Sequence, residues 1–146
     1  MKLLVAIYIN YFTDTGLLRY LLRYPTPDIL RAGPMGGHIF ENFIISEILK
    51  WKFNHAVNAE IYFYRDSNGN EVDCVIDLGI RTVLLEIKMR ASIADGDAAS
   101  LLKFPEKKKD THAYLVSCWE HRKTIDRGIE NVPWWMLGEM LGGMIK

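Results

Sequence analysis

Glu71-Val72-Asp73-Cys74-Val75-Ile76, with Leu85-Glu86-Ile87-Lys88 placed so that Glu86 falls thirteen positions beyond Asp73, is the stretch that decides how this chain folds. Both runs are rich in β-branched and apolar residues, which suit strands. Successive side chains of a strand point to opposite faces. Glu86 and Lys88 therefore share one face while Leu85 and Ile87 enter a core, and the same alternation sets Glu71 beside Asp73. A turn at Leu78-Gly79-Ile80 makes the two strands neighbours and brings Asp73 opposite the Glu86 and Lys88 pair. Two carboxylates and a backbone carbonyl, that of Ile87, suit a hard cation such as Mg²⁺ or Mn²⁺ that keeps several waters. A lysine beside such an ion orients water or stabilises charge on a phosphate oxygen. The plainer alternative is a half-solvated sheet face on which Glu86 and Lys88 form a surface ion pair.

Working outward, residues 61–64 form a further strand, and turn signals at Asp66-Ser-Asn-Gly-Asn and Leu78-Gly79 make a three-stranded meander with 72–78 and 83–87. Upstream, Phe40, Phe43, Ile44, Ile48 and Trp51 recur at helical spacing, which predicts a core helix over 38–53. Glu41 falls inside its apolar arc, where a carboxylate is costly unless paired or bound to metal. Glu47 falls inside the same arc, so helix geometry does not choose between them, and a rim carboxylate held by Arg65 or Arg31 is the alternative. Asp14 caps a short helix carrying Leu17, Leu18, Leu21 and Leu22. The prolines and glycines of 24–37 predict a loop. Downstream, 95–109 reads as a helix through Leu101, Leu102 and Phe104 that Pro105 shortens or kinks, 113–119 as a fourth strand, and 134–145 as an apolar closing helix.

The chain has 146 residues, 49% of them hydrophobic, the size of one domain spanning 1–146. Lysine plus arginine equals aspartate plus glutamate at 18 each, so no global basic excess advertises nucleic acid or an anionic membrane, and such binding must come from a local patch. Lys103, Lys107, Lys108 and Lys109, with Lys88 and Arg90, are the candidate edge for tracking phosphates; a solvated helix end is the alternative. Cys74 and Cys118 stand apart from each other and from histidines at ligand spacing, which indicates neither a disulfide framework nor a zinc site and fits a reducing, cytoplasmic setting. The four histidines show no metal-binding spacing, and the serines lack a nucleophile-elbow context. The apolar opening at 1–9 reads as structure, not as a signal peptide. No run reaches the 18 or so apolar residues of a membrane helix. Trp134, Trp135, Met136, Leu137, Met140 and Leu141 either close the core or form a docking surface for a partner.

Asp14-Thr-Gly-Leu-Leu, Phe40-Glu41-Asn-Phe-Ile, Tyr64-Arg65 with Glu71-Val-Asp73, and Glu86-Ile-Lys88, taken in order, resemble domain-of-unknown-function family 4143, the C-terminal domain of a group of archaeal and bacterial AAA+ ATPases. The resemblance covers nearly the whole chain. It implies a branch of the PD-(D/E)xK nuclease-like superfamily: an α/β, restriction-endonuclease-like core of helix, three-stranded meander, helix and strand, here with extra N- and C-terminal helices. By position it implies Glu41 as the helix acid, Asp73 as the first strand acid, and Glu86 and Lys88 as the E-x-K element. An upstream ATPase module is expected from the resemblance, yet no G-x-x-x-x-G-K-[ST] loop occurs in the sequence, so the chain is expected to be a piece of a longer protein or a remnant without the motor.

The resulting expectation is metal-dependent hydrolysis of phosphodiester bonds in nucleic acid, DNA foremost, with Asp73 and Glu86 holding Mg²⁺ or Mn²⁺, Lys88 orienting water or phosphate, and Glu41 assisting. Lys88, read as an exposed strand-end lysine, is expected to be removable without loss of the fold. The rival expectation is a non-catalytic accessory domain that recognises nucleic acid or protein for an ATPase.

Overall fold

Local signals start each element. Asp14 accepts a hydrogen bond from the Leu17 N–H at 2.9 Å and begins α1 (Thr15–Leu21). Thr26 does the same for the Ile29 N–H, with Pro27 at the first helical position, and begins α2 (Pro27–Ala32). The expected loop over 24–37 is thus corrected. Pro27 starts a helix here, because its missing N–H falls where a helix needs none. α3 (Gly36–Asn54) follows after two residues of turn and one of bend, and a Cβ on Gly36 would lie 2.9 Å from the Arg31 carbonyl and 3.0 Å from that of Leu30. Only glycine lets α2 and α3 meet that closely.

The meander forms as β1 (Glu60–Arg65), β2 (Glu71–Asp77) and β3 (Arg81–Lys88), all antiparallel. Asp66 accepts the Asn68 and Asn70 N–H groups in the first turn; Asp77 accepts that of Gly79, whose φ of +86° needs glycine, in the second. The computed structural model describes residues 11–94, 96–105 and 110–145; the opening at 1–9 and Lys107, Lys108 and Lys109 lie outside the described residues. The crossover from β3 holds α4 (Ala99–Leu102), far shorter than the helix expected over 95–109. Phe104 is the reason: buried and edge-on to Tyr64 at 4.9 Å, it pins the chain to the sheet before Pro105. β4 (Asp110–Ser117) then runs parallel to β3.

β5 (Lys123–Asp126) and β6 (Ile129–Pro133), which the sequence reading did not anticipate, form a hairpin whose β6 lies parallel to β4. The six-stranded sheet has the order β1-β2-β3-β4-β6-β5. A 3₁₀ turn over Trp134–Met136 leads into α5 (Leu137–Met144), so the apolar closing stripe splits: Leu137, Met140 and Leu141 are buried, while Trp134 and Trp135 are 37% and 53% exposed. The result is a mixed α/β fold in three layers. On one face Ile44, Ile45 and Ile48 of α3 and Leu141 of α5 bury Cys74, Ile76, Val83, Leu85 and Ile87. On the other, Leu101 and Phe104 cover Val72, Val75 and Leu84.

One irregularity governs the site. Tyr62 pairs with Val75 and Tyr64 with Val72, so two steps along β1 match three along β2, and the extra residue is a bulge at Asp73 and Cys74. Val72 and Val75 consequently enter the same core. Glu71 pairs with Arg65 at 2.6 Å, and at the bulge Asp73 turns to β3.

Candidate functional site

The regular β2 to β3 pairing begins at Cys74 and Leu85. Beyond it, where a backbone carbonyl of β2 would meet Ile87, the Asp73 carboxylate accepts the Ile87 N–H at 2.7 Å. A side chain has taken the place of the ladder, and it lies at the sheet's edge of pairing, between the two strands. The N–H and C=O of one strand residue point to the same neighbour, so the Ile87 carbonyl also faces β2. Burial first, and then the charges of Glu86 and Glu41, push the Asp73 carboxyl up to about 7; the Ile87 N–H and the Lys88 ammonium pull the other way without prevailing. Cys74 beside it is buried, and burial, then the charges of Asp73 and Glu41, push its thiol far up, which makes it a packing group.

Glu86 and Lys88 do share a face, that of Leu84 and α4. Glu86 is 6% exposed, and both its oxygens are engaged: Oε1 by the Lys88 ammonium at 2.5 Å and Oε2 by the Ser100 hydroxyl at 2.5 Å. The half-solvated face of the plainer alternative is therefore not what surrounds Glu86, because α4 covers it. Lys88 is also not the exposed strand-end lysine expected, since its side chain is 35% exposed and neutralises a buried carboxylate. Burial lowers the Lys88 pKa, but the bond to Glu86 and the charges of Glu86, Asp73 and Asp97 outweigh that and raise it above the ordinary lysine value. Lys88 remains cationic at neutral pH.

Of the two helix acids, Glu41 and not Glu47 reaches this region. Glu41 raises the Asp73 pKa and accepts the Tyr11 hydroxyl at 3.1 Å. Asn42 holds that segment in place by accepting the Phe12 N–H at 2.7 Å and donating to the Phe12 carbonyl at 2.8 Å. Burial, then Glu41, drives the Tyr11 hydroxyl far above the ordinary tyrosine pKa. Glu47 pairs with Lys50 one turn on, at 2.6 Å, and neither Arg65 nor Arg31 holds either acid among the described residues. The structure thus brings Asp73, Glu86, Glu41 and Lys88 into one electrostatic neighbourhood on three elements.

The basic edge is less free than the sequence indicates: Lys88 is committed to Glu86 and Arg90 to Asp97 at 2.8 Å, while Lys107, Lys108 and Lys109 are outside the described residues. Among the described residues no histidine joins the neighbourhood; His55 bonds the Trp51 carbonyl, and His112 bonds Asp110. Ser100, Tyr11 and Asp97 are the participants that sequence reading missed. They lie 14, 30 and 9 positions from Glu86, Glu41 and Lys88 respectively, and nothing local in the sequence marks them. Among the described residues no group of three or more histidine, cysteine, aspartate and glutamate side chains is placed to hold a metal ion. What the arrangement offers a hard cation is an all-oxygen set: Asp73, the Ile87 carbonyl, and Glu86 if it exchanges Ser100 or Lys88 for the ion. That donor chemistry fits Mg²⁺ or Mn²⁺, which take one or two carboxylates and keep their waters.

Among the described residues no helix is long and apolar enough to cross a membrane. Comparison with curated proteins and with solved structures brings no match. A family model described as "Domain of unknown function (DUF4143)" matches residues 36–137. That span runs from the first residue of α3 to the first of α5 and carries Glu41, Asp73, Glu86 and Lys88. Since it is well over half of the chain, the protein belongs to the DUF4143 family of domains of unknown function.

Proposed function

We propose that this domain hydrolyses phosphodiester bonds of nucleic acid, DNA foremost, with Mg²⁺ or Mn²⁺ held by Asp73, Glu86 and the Ile87 carbonyl, and that its helix, antiparallel meander, crossover and parallel strand form a PD-(D/E)xK core of restriction-endonuclease type. The observation that carries this reading is the bulge that turns Asp73 onto the Ile87 N–H beside the Glu86 and Lys88 pair. Bulges re-aim side chains next to active sites, and a buried carboxylate beside two others is costly without a cation. A divalent ion, when bound, supplies a water of lowered pKa and positive charge for the phosphate. Lys88 stays protonated and offers N–H donors to a phosphate oxygen. Glu41, with Tyr11 donating to it, remains an acceptor near Asp73. Asp73, with its pKa pushed up to about 7, is part-protonated near neutral pH in the metal-free protein and would ionise to hold a cation.

A second reading has its own support. Both Glu86 oxygens are engaged by Lys88 and Ser100; if they stay so, the domain is a non-catalytic accessory that recognises nucleic acid or protein, in the cytoplasm, for an AAA+ ATPase module. Purified protein with either ion, tested on single-stranded, duplex and branched DNA and RNA, decides between them. Nicking that Asp73→Asn and Lys88→Met both abolish supports hydrolysis. Folded protein that leaves every substrate intact assigns the accessory role.

A further inference from the structure

Beside the candidate site runs a groove of about 630 Å³, well inside the roughly 300–1,000 Å³ of small-ligand clefts. Its walls include Phe40 and Met89, the chain neighbours of Glu41 and Lys88. Arg19, Arg31, Trp134 and Trp135 also line it. Among the described residues no acidic side chain lines it. Arg65, Arg81, Arg90 and Arg122 are each paired with a carboxylate, whereas Arg19 and Arg31 have no carboxylate partner among the described residues. Trp134 packs edge-on against Phe43 at 5.4 Å, and Trp135 stands at 86° to Trp134 with 53% of its surface exposed. An anchored indole thus supports an exposed one, in a groove also lined by two arginines without a carboxylate partner among the described residues.

We infer that this groove holds an unpaired stretch of single-stranded nucleic acid, with a base stacked on Trp135 and backbone phosphates on Arg19 and Arg31, and so feeds the adjoining phosphodiester to the candidate site. A base inside a duplex is stacked on both faces and has none to offer an indole, while an unpaired base stacks on an aromatic side chain whatever its identity. The charge favours the same occupant, since an uncharged apolar peptide would leave both arginines unanswered. The inference rests on the proposed hydrolysis only in taking nucleic acid as the substrate class.

Fluorescence anisotropy in EDTA, where no hydrolysis occurs, tests it with labelled oligo-dT, oligo-rU and a blunt duplex of equal length. Both single strands should bind more tightly than the duplex, and a preference between them identifies DNA or RNA as the source. Trp135→Ala should weaken single-strand binding about 5- to 140-fold, the roughly 1–3 kcal/mol of one stacked base converted at 1.4 kcal/mol per tenfold. Arg19→Glu should weaken it as well and flatten its salt dependence. Arg127→Glu, on an exposed side chain at the distant β5 to β6 turn, should leave it unchanged. Circular dichroism confirms that each variant is folded, and quenching of indole fluorescence on binding gives a second readout. Equal affinity for the duplex, an unaltered Trp135→Ala, or equal losses in Arg19→Glu and Arg127→Glu overturns the inference; absence of binding to any strand overturns it too and leaves the groove to an apolar segment. Single-strand binding without cleavage under Mg²⁺ removes the hydrolytic reading alone, and cleavage with Trp135→Ala affinity unaltered removes the groove alone.

Discussion

Replacing Asp73 by asparagine should stabilise the metal-free domain, by an amount that grows as pH rises from about 4 to about 7 and holds above that. In the folded protein the Asp73 carboxyl is pushed from 3.8 up to about 7 by burial and by Glu86 and Glu41. The folded state therefore holds a proton that the unfolded chain has already released between those two values, so stability contributed by this group falls as pH rises through that window and levels off above it. About three pKa units at roughly 1.4 kcal/mol each set a ceiling near 4 kcal/mol. Partial access of water to the carboxylate lowers that to about 2 kcal/mol. Asparagine removes the charge yet keeps an oxygen to accept the Ile87 N–H. Urea unfolding in EDTA at pH 8 should thus show Asp73→Asn more stable than the parent by about 2 kcal/mol, and at pH 4 the two should coincide. An equal effect at both pH values, or a destabilised variant at pH 8, would refute the placement of Asp73 among carboxylates. Asp73→Ala is the control, because it orphans the Ile87 N–H and should forfeit about 1–3 kcal/mol of any gain.

Other consequences follow from single contacts. Lys88→Met leaves Glu86 buried with Ser100 alone and should cost about 2 kcal/mol in urea unfolding at pH 7, somewhat less than the 3–5 kcal/mol of a fully buried pair because Lys88 is part-exposed; Lys88→Arg should restore most of it. Tyr11→Phe should cost about 1 kcal/mol, and a spectrophotometric titration of the parent should show one tyrosine more than the variant still protonated at pH 11. Gly36→Ala should destabilise by about 1–3 kcal/mol in a thermal melt, since its Cβ would sit 2.8 Å from the Met89 methyl and against two backbone carbonyls.

What sequence reading can see is local, and the site divides along that line. Period-two alternation placed Glu86 and Lys88 together on β3, because β3 is regular from Arg81 to Lys88. One strand earlier alternation could not show that Asp73 bonds the Ile87 N–H: the bulge at Asp73 and Cys74 is defined by how β2 pairs with β1, and no residue in Glu71–Asp77 announces it. Glu41 and Glu47 could not be told apart because α3 is buried on several sides, against the sheet and against α1, α2 and α5, so its apolar arc is too wide to define a single inner direction. The choice is made by Tyr11 and Asn42, whose partners lie 30 residues away. α2 was hidden by prolines that read as loop until Pro27 is seen at a helix start. β5 was hidden by its length of four residues and its polar Lys123-Thr-Ile-Asp126, composition common at sheet edges. The cover over Glu86 comes from Ser100, across the crossover, so the engagement of both its oxygens was invisible from the E-x-K tripeptide.

The central claim is that Asp73 and Glu86 jointly hold a divalent ion, and calorimetric titration with Mn²⁺ tests it most directly. The parent domain should bind one ion near neutral pH with release of a fraction of a proton, as the protonated share of Asp73 ionises, while Asp73→Asn and Glu86→Gln, both shown to be folded, should each lose that binding. A parent that takes up no Mn²⁺, or binding that persists unchanged in both variants, would contradict the claim.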